Sequence, residues 1–95
     1  MKLPEDIIEK IQEYSAALLS PNEIAVLVDI VPSEINLFCD ICKNHQNSPI
    51  HVAYQKGRLT TKYELRSTVI KLAKAGSPAA EPLADKYLKE QLINE

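Results

Sequence analysis

Apolar residues recur along this chain at steps of three and four, the spacing that lines one face of an α-helix. Ile7, Ile11, Tyr14 and Leu18 form such a stripe and predict a helix over about 4–18. Ile24 and Val28 predict a short second helix over about 21–28, and Ile35, Phe38, Cys39 and Cys42 a third over about 32–43. The fourth, over about 49–75, carries two stripes, Leu65 with Val69 and Leu72, and Leu59 with Tyr63 and Ile70. Ala80, Leu83, Ala84, Tyr87 and Leu88 predict a fifth over about 78–92. No alternation of period two is sustained enough to predict a strand.

Local punctuation supports these boundaries. Ser-Pro occurs at Ser20-Pro21, Ser48-Pro49 and Ser77-Pro78. In each pair Ser can cap a helix and Pro can occupy its first position, where a missing N–H costs nothing. Glu23, three residues after Ser20, completes a capping box. Pro4 and Pro32 suit the same role, whereas Pro82 would delete a bond inside the last helix, which therefore starts irregularly or nearer Glu81. Gly57 is a candidate kink or break in the long helix, and Gly76 its stop. Only two glycines stand in 95 residues, which also disfavours a turn-rich β fold. The expected fold is all-α: one helical domain over 1–95, with a three-helix core over 1–45 and a long helix and a C-terminal helix over 48–92. That second part is expected to serve as an oligomerisation or basic region.

Charge changes the picture more than composition does. The net charge is −2, but residues 1–40 hold two lysines against eight acids, and residues 41–76 hold seven basic residues against Glu64 alone. The basic third suits nucleic acid and the acidic third repels it. The stretch with charged N-terminus lacks the apolar run of a signal peptide, and nothing approaches the ~20 apolar residues of a membrane span. A cytoplasmic protein without membrane contact is expected.

Cys39, Cys42, His45 and His51 raise the question of zinc. Tetrahedral Cys-x-x-Cys sites usually sit in tight turns. Here the cysteines extend the stripe of Ile35 and Phe38, so they read as small apolar core side chains, with no metal and no cofactor expected. A redox pair is disfavoured because no βαβ pattern precedes it.

The best-patterned segment is 21–40, PNEIAVLVDIVPSEINLFCD, which fits a helix-turn-helix. Ala25 supplies the small residue where two helices cross closely. Ile24, Val28, Ile30, Ile35 and Phe38 fill the apolar positions around it. Asp29 stands where Gly commonly takes a positive φ, a conformation Asp tolerates. Any two short packed helices give a similar pattern. In this register Ser33, Asn36, Leu37 and Asp40 face outward, and Asn36 suits a bidentate pair with adenine. None is basic, and Glu34 and Asp40 oppose phosphate. The DNA-contact candidates are thus Ser33 and Asn36, with Lys43, Lys56, Arg58, Lys62 and Arg66 toward phosphate. Those cations equally suit a plain solvated face, which leaves a protein-contact or adaptor role open.

The segment SPIHVAYQKGRLTTKYELRSTVIKLAKAGSPAAEPLADKYL, following that motif, resembles phage terminase small subunits and related phage helix-turn-helix proteins. The matching residues are Ala53, Tyr54, Gly57, Arg58, Leu65, Arg66, Leu72, Ala73, Gly76, Ala80 and Leu83, within a resemblance covering about residues 20–90. The resemblance implies a phage- or prophage-encoded, non-enzymatic subunit. Such a subunit recognises DNA, assembles into a ring and delivers the genome to a terminase large subunit. This chain differs in its acidic reading helix and in ending soon after its last helix. No Gly-rich phosphate loop or Ser/His/Asp arrangement suggests an enzyme. Glu5, Asp6, Glu9 and Glu13 form a solvated helix face. The second stripe of the fourth helix, Leu59, Tyr63 and Ile70, lacks an obvious partner in one chain, so a homo-oligomer is expected.

Overall fold

A computed structural model of the chain describes residues 1–94. The fold is all-helical: α1 (Glu5–Ala16), α2 (Pro21–Leu27), a 3₁₀ turn (Pro32–Glu34), α3 (Ile35–Asn44), α4 (Pro49–Lys74) and α5 (Glu81–Asn94). There is no strand among the described residues. Among the described residues no helix is long and apolar enough to cross a membrane.

The starts follow the local chemistry. Ser20 Oγ accepts the Glu23 N–H at 3.2 Å and Glu23 Oε1 accepts the Ser20 N–H at 2.9 Å, closing the capping box. Ser48 Oγ accepts the Ile50 N–H at the head of α4. Pro4 is itself the cap of α1 rather than its first residue, and Pro32 opens the 3₁₀ turn that precedes α3. The fifth helix begins at Glu81, with Pro82 in its first turn, where no intrahelical N–H bond is lost. Residues 78–80, expected as helix, are a turn, held by the Ala80 and Glu81 N–H groups on the Ser77 carbonyl.

Three helix ends share one device. After α2, Asp29 takes φ 59°, the Asp29 N–H bonds the Val26 carbonyl, and the Ile30 N–H reaches back to the Ala25 carbonyl at 2.9 Å. This left-handed closure satisfies carbonyls that the helix end would leave unpaired. Gly76, at φ 89°, ends α4 in the same way, with Ser77 N–H on the Leu72 carbonyl. At the end of α1 the left-handed residue is Leu18, φ 65°, although a side chain there costs on the order of 1 kcal/mol. The first helix stops two residues short of the expected limit because of this turn.

Two compact units divide the chain, Met1–Thr61 and the residues from Lys62 onward, with α4 running through the division. In the first unit Ile11, Ile24, Ala25, Phe38, Cys42 and Ile50 lie at the centre of one core, joined by Val28, Ile41, Ala53 and Tyr54. Leu3, Ile7, Ile8, Tyr14, Leu19, Ile30 and Ile35 pack against it. The first turns of α4 thus belong to the same core as α1–α3.

Gly57 is not a kink. It lies in an unbroken helix and is buried where α4 crosses α1. A Cβ there would overlap the Gln12 carbonyl oxygen and stand 2.8 Å from Ser15 Cβ and 2.9 Å from the Ala16 nitrogen. Around this contact Ser15 Oγ donates to the Tyr54 carbonyl and Thr61 Oγ1 to the Ala16 carbonyl. Arg58 Nη2 donates to the Leu19 carbonyl at 2.7 Å. The last two acceptors lie at or beyond the end of α1, so α4 supplies partners that α1 lacks.

Within the second unit, α4 beyond Lys62 and α5 form an antiparallel hairpin. Arg66 Nη2 pairs with Glu90 Oε2 at 2.8 Å, and its guanidinium lies 4.3 Å from the centre of the Tyr87 ring. Ala80 is the only buried side chain among this unit's described residues. Tyr63, Leu65, Ile70, Leu72, Leu83, Leu88, Leu92 and Ile93 are all exposed.

The crossing makes a clear demand on position 57. Gly57→Ala gains about 1 kcal/mol of helix propensity, yet it must push backbone apart. A net loss of about 1–3 kcal/mol in unfolding free energy is expected from this overpacking, read by urea denaturation of the intact chain. Unchanged or raised stability would show that α1 and α4 do not meet here.

Candidate nucleic-acid interface

The candidate reading surface is the outward side of the 3₁₀ turn and α3. Burying Phe38, Ile41 and Cys42 turns Ser33, Asn36, Leu37, Asp40 and Lys43 to the surface, where all five are exposed. Asn36, Asp40 and Lys43 recur at helical steps and share one face. The carboxylate of Asp40 is fixed there: Asn44 Nδ2 donates to Oδ1 at 2.7 Å and His45 Nε2 lies 2.8 Å from Oδ2. These bonds, Asn44 first, hold the Asp40 carboxyl below its usual range. The middle of this face is therefore anionic at neutral pH, with Asn36 on one side and Lys43 on the other.

The remaining candidates fall elsewhere. Lys56 is exposed on α4. Arg58 is turned into the fold: it holds the Leu19 carbonyl and lies 4.7 Å from the centre of the Tyr54 ring. Its Nε is buried without a protein partner. Arg58 is thus a brace between α4 and the end of α1. Lys62 and Arg66 belong to the second unit, where Arg66 is already paired with Glu90 and stacked on Tyr87. In the first unit the structure groups Ser33, Asn36 and Lys43 on one stretch. It places Lys56 on a different helix.

Sequence reasoning missed the Asp40–Asn44–His45 cluster. The Asp–Asn spacing of four was its available signal, because such side chains meet on a helix. It also missed the inward turn of Arg58, which depends on an acceptor 39 residues away.

The four residues that raised the question of zinc are held apart by separate tasks. Cys42 is fully buried, and burial, with the nearby Cys39 thiol adding to it, pushes its thiol up to about 12. Cys39 is only half-buried, a departure from the expected core thiol, and its Sγ donates to Asn22 Oδ1 at 3.3 Å. His45 is engaged with Asp40. His51 is buried, and its Nδ1–H donates to the Cys42 carbonyl at 2.7 Å, satisfying one of the last carbonyls of α3. Among the described residues no three His, Cys, Asp or Glu side chains gather as a metal site.

The chain matches no family model, no curated protein and no solved structure.

The contrast between the two thiols is open to a direct check. A thiolate reagent at neutral pH is expected to modify Cys39 at least tenfold faster than Cys42, with both reacting in denaturant. Peptide mapping after brief alkylation reads the ratio. Equal rates in the native protein would contradict the burial of Cys42.

Proposed function

We propose that Met1–Thr61 is a helix-turn-helix DNA-binding unit. The chain would then act as a non-enzymatic DNA-recognition subunit of the phage terminase-small-subunit kind, in the bacterial cytoplasm beside a large subunit. The observation that carries this reading is the turn between α2 and α3. Asp29 sits at φ 59°, the Ile30 N–H returns to the Ala25 carbonyl, and Ala25 is fully buried against its neighbours. A small buried residue followed four positions later by a left-handed residue is what this motif asks of its sequence.

In this reading α3 enters the major groove and Asn36 meets a base edge. Lys43 and Lys56 take the phosphate contacts. Asp40 stays ionised on the same face, so binding is weak and favoured at low salt. That anion also supports a second reading, in which α3 contacts a basic protein surface and the chain is an adaptor. The exposed Val26, Leu27, Val31 and Leu37 around the turn favour the same alternative.

Fluorescence anisotropy on labelled duplexes over a salt series separates the two readings. Lys43→Glu and Lys56→Glu are each expected to weaken binding to every sequence and to reduce the salt slope by about 1. Asn36→Ala is expected to relax preference at one base position, by about 1–3 kcal/mol of discrimination. Arg58 is unsuited to this test, because its loss would disturb the fold. Failure of the wild-type protein to bind any duplex at low salt would end the DNA reading and leave the adaptor.

A further inference from the structure

The first unit leaves apolar side chains uncovered around α2, on a stretch whose charge has a single sign. An open groove there is lined by Leu19, Glu23, Val26 and Leu27. Glu23, Val26 and Leu27 fall at helical steps and so share one face of α2. Val26 is 67% exposed, and Leu18 and Val31, in the turns at the two ends of α2, are both more than half exposed. Leu18 also takes φ 65°, a conformation that glycine adopts freely and leucine does not. Neither burial nor backbone preference therefore accounts for a leucine at this position.

Between Lys10 and Lys43 the chain has no lysine, arginine or histidine. The five acids of that stretch, Glu13, Glu23, Asp29, Glu34 and Asp40, are all exposed. Every charge that α2 and its flanking turns bring to the surface is thus negative. Glu23 lines the groove itself, and the Ser20 N–H holds its carboxyl below the usual range. Arg58 reaches Leu19 from α4, but its Nη2 is held by the Leu19 carbonyl and its guanidinium lies against the Tyr54 ring.

We propose that this face of α2 binds a cationic amphipathic helix of another protein, with apolar anchors in the groove and lysines or arginines over the acids. Charge decides among the occupants. Nucleic acid and anionic lipid both require cations at the contact, and this stretch supplies none. The same face of a second copy would bring acid against acid. A basic helix with anchors three and four residues apart matches both the apolar groove and its acidic surroundings. The contact is separate from the α3 face of Asn36, Asp40 and Lys43, and it holds whether or not that face meets DNA.

Fluorescence anisotropy of a labelled peptide of about 18 residues tests the docking on the full chain, with no DNA present. The peptide is made of leucine, lysine and alanine, with the leucines on one helical face. A dissociation constant of about 10 μM is expected, rising with salt. Val26→Lys with Leu27→Lys is expected to raise it at least about 10-fold. Glu23→Gln, which can keep the capping box, is expected to raise it about 2-fold or more. Leu18→Asn, suited to the left-handed turn, is expected to raise it at least about 3-fold while moving the thermal midpoint by less than about 3 °C. Leu37→Ala, on α3, is expected to leave binding unchanged. A wild-type chain that does not saturate by ~500 μM would overturn the proposal. So would equal binding of a peptide with the same composition and its leucines spread around the helix, or loss of binding by Leu37→Ala and not by the Val26 and Leu27 pair.

Discussion

The contact on which the rest of this structure depends is the backbone-to-backbone approach of α1 and α4 at Gly57. No side chain separates the helices there, so hydroxyls can reach across them. Ser15 meets the Tyr54 carbonyl and Thr61 meets the Ala16 carbonyl. Arg58, one residue beyond the glycine, reaches the chain just after α1. Each bond serves a group that a helix end or a close crossing would leave without water. The crossing also brings Ile50, Ala53 and Tyr54 onto the core that α1, α2 and α3 share. His51 then holds the Cys42 carbonyl and so fixes the end of α3. The outward face of α3 is positioned through this chain of contacts.

A single long helix therefore does two different jobs. Up to Thr61, α4 packs one face on the core through Ile50, Ala53, Tyr54 and Gly57, and its one charged side chain that turns inward, Arg58, is committed to the fold. From Lys62 the same helix loses that cover and holds α5 through Arg66, Tyr87 and Glu90. A half-exposed ion pair of this sort contributes little stability, at most about 1 kcal/mol. The hairpin is thus the part of the chain with the least internal reason to stay ordered. Eight of its described large apolar side chains are exposed.

Much of this was legible in the sequence, for local reasons. Helix existence followed from apolar period and from caps such as Ser20 with Glu23, because those signals act within a few residues. The left-handed Asp29 was readable from its place after Ala25 and from the tolerance of Asp for positive φ. Gly57 was misread as a kink, since a glycine needed for close approach and one that breaks a helix look alike along the chain. Leu18 gave no warning of its positive φ, because Leu disfavours it and only the packing around the end of α1 imposes it. The DNA candidates divided for the same reason. Asn36 and Lys43 follow from helical phase, whereas the use of Arg58 depends on Leu19, far away in sequence. Charge runs show where cations occur and not which are already engaged.

Packing on α1 stabilises α4 only as far as Thr61, and beyond it the helix has only the cover of its own hairpin. Hydrogen exchange followed along α4 tests it most directly, since protection reports local opening free energy residue by residue. Amides from Ala53 to Thr61 are expected to exchange only through global unfolding, at any protein concentration. Amides from Leu65 to Leu72 are expected to exchange much faster, through local opening of the hairpin. Uniform protection along the whole of α4 would contradict the account.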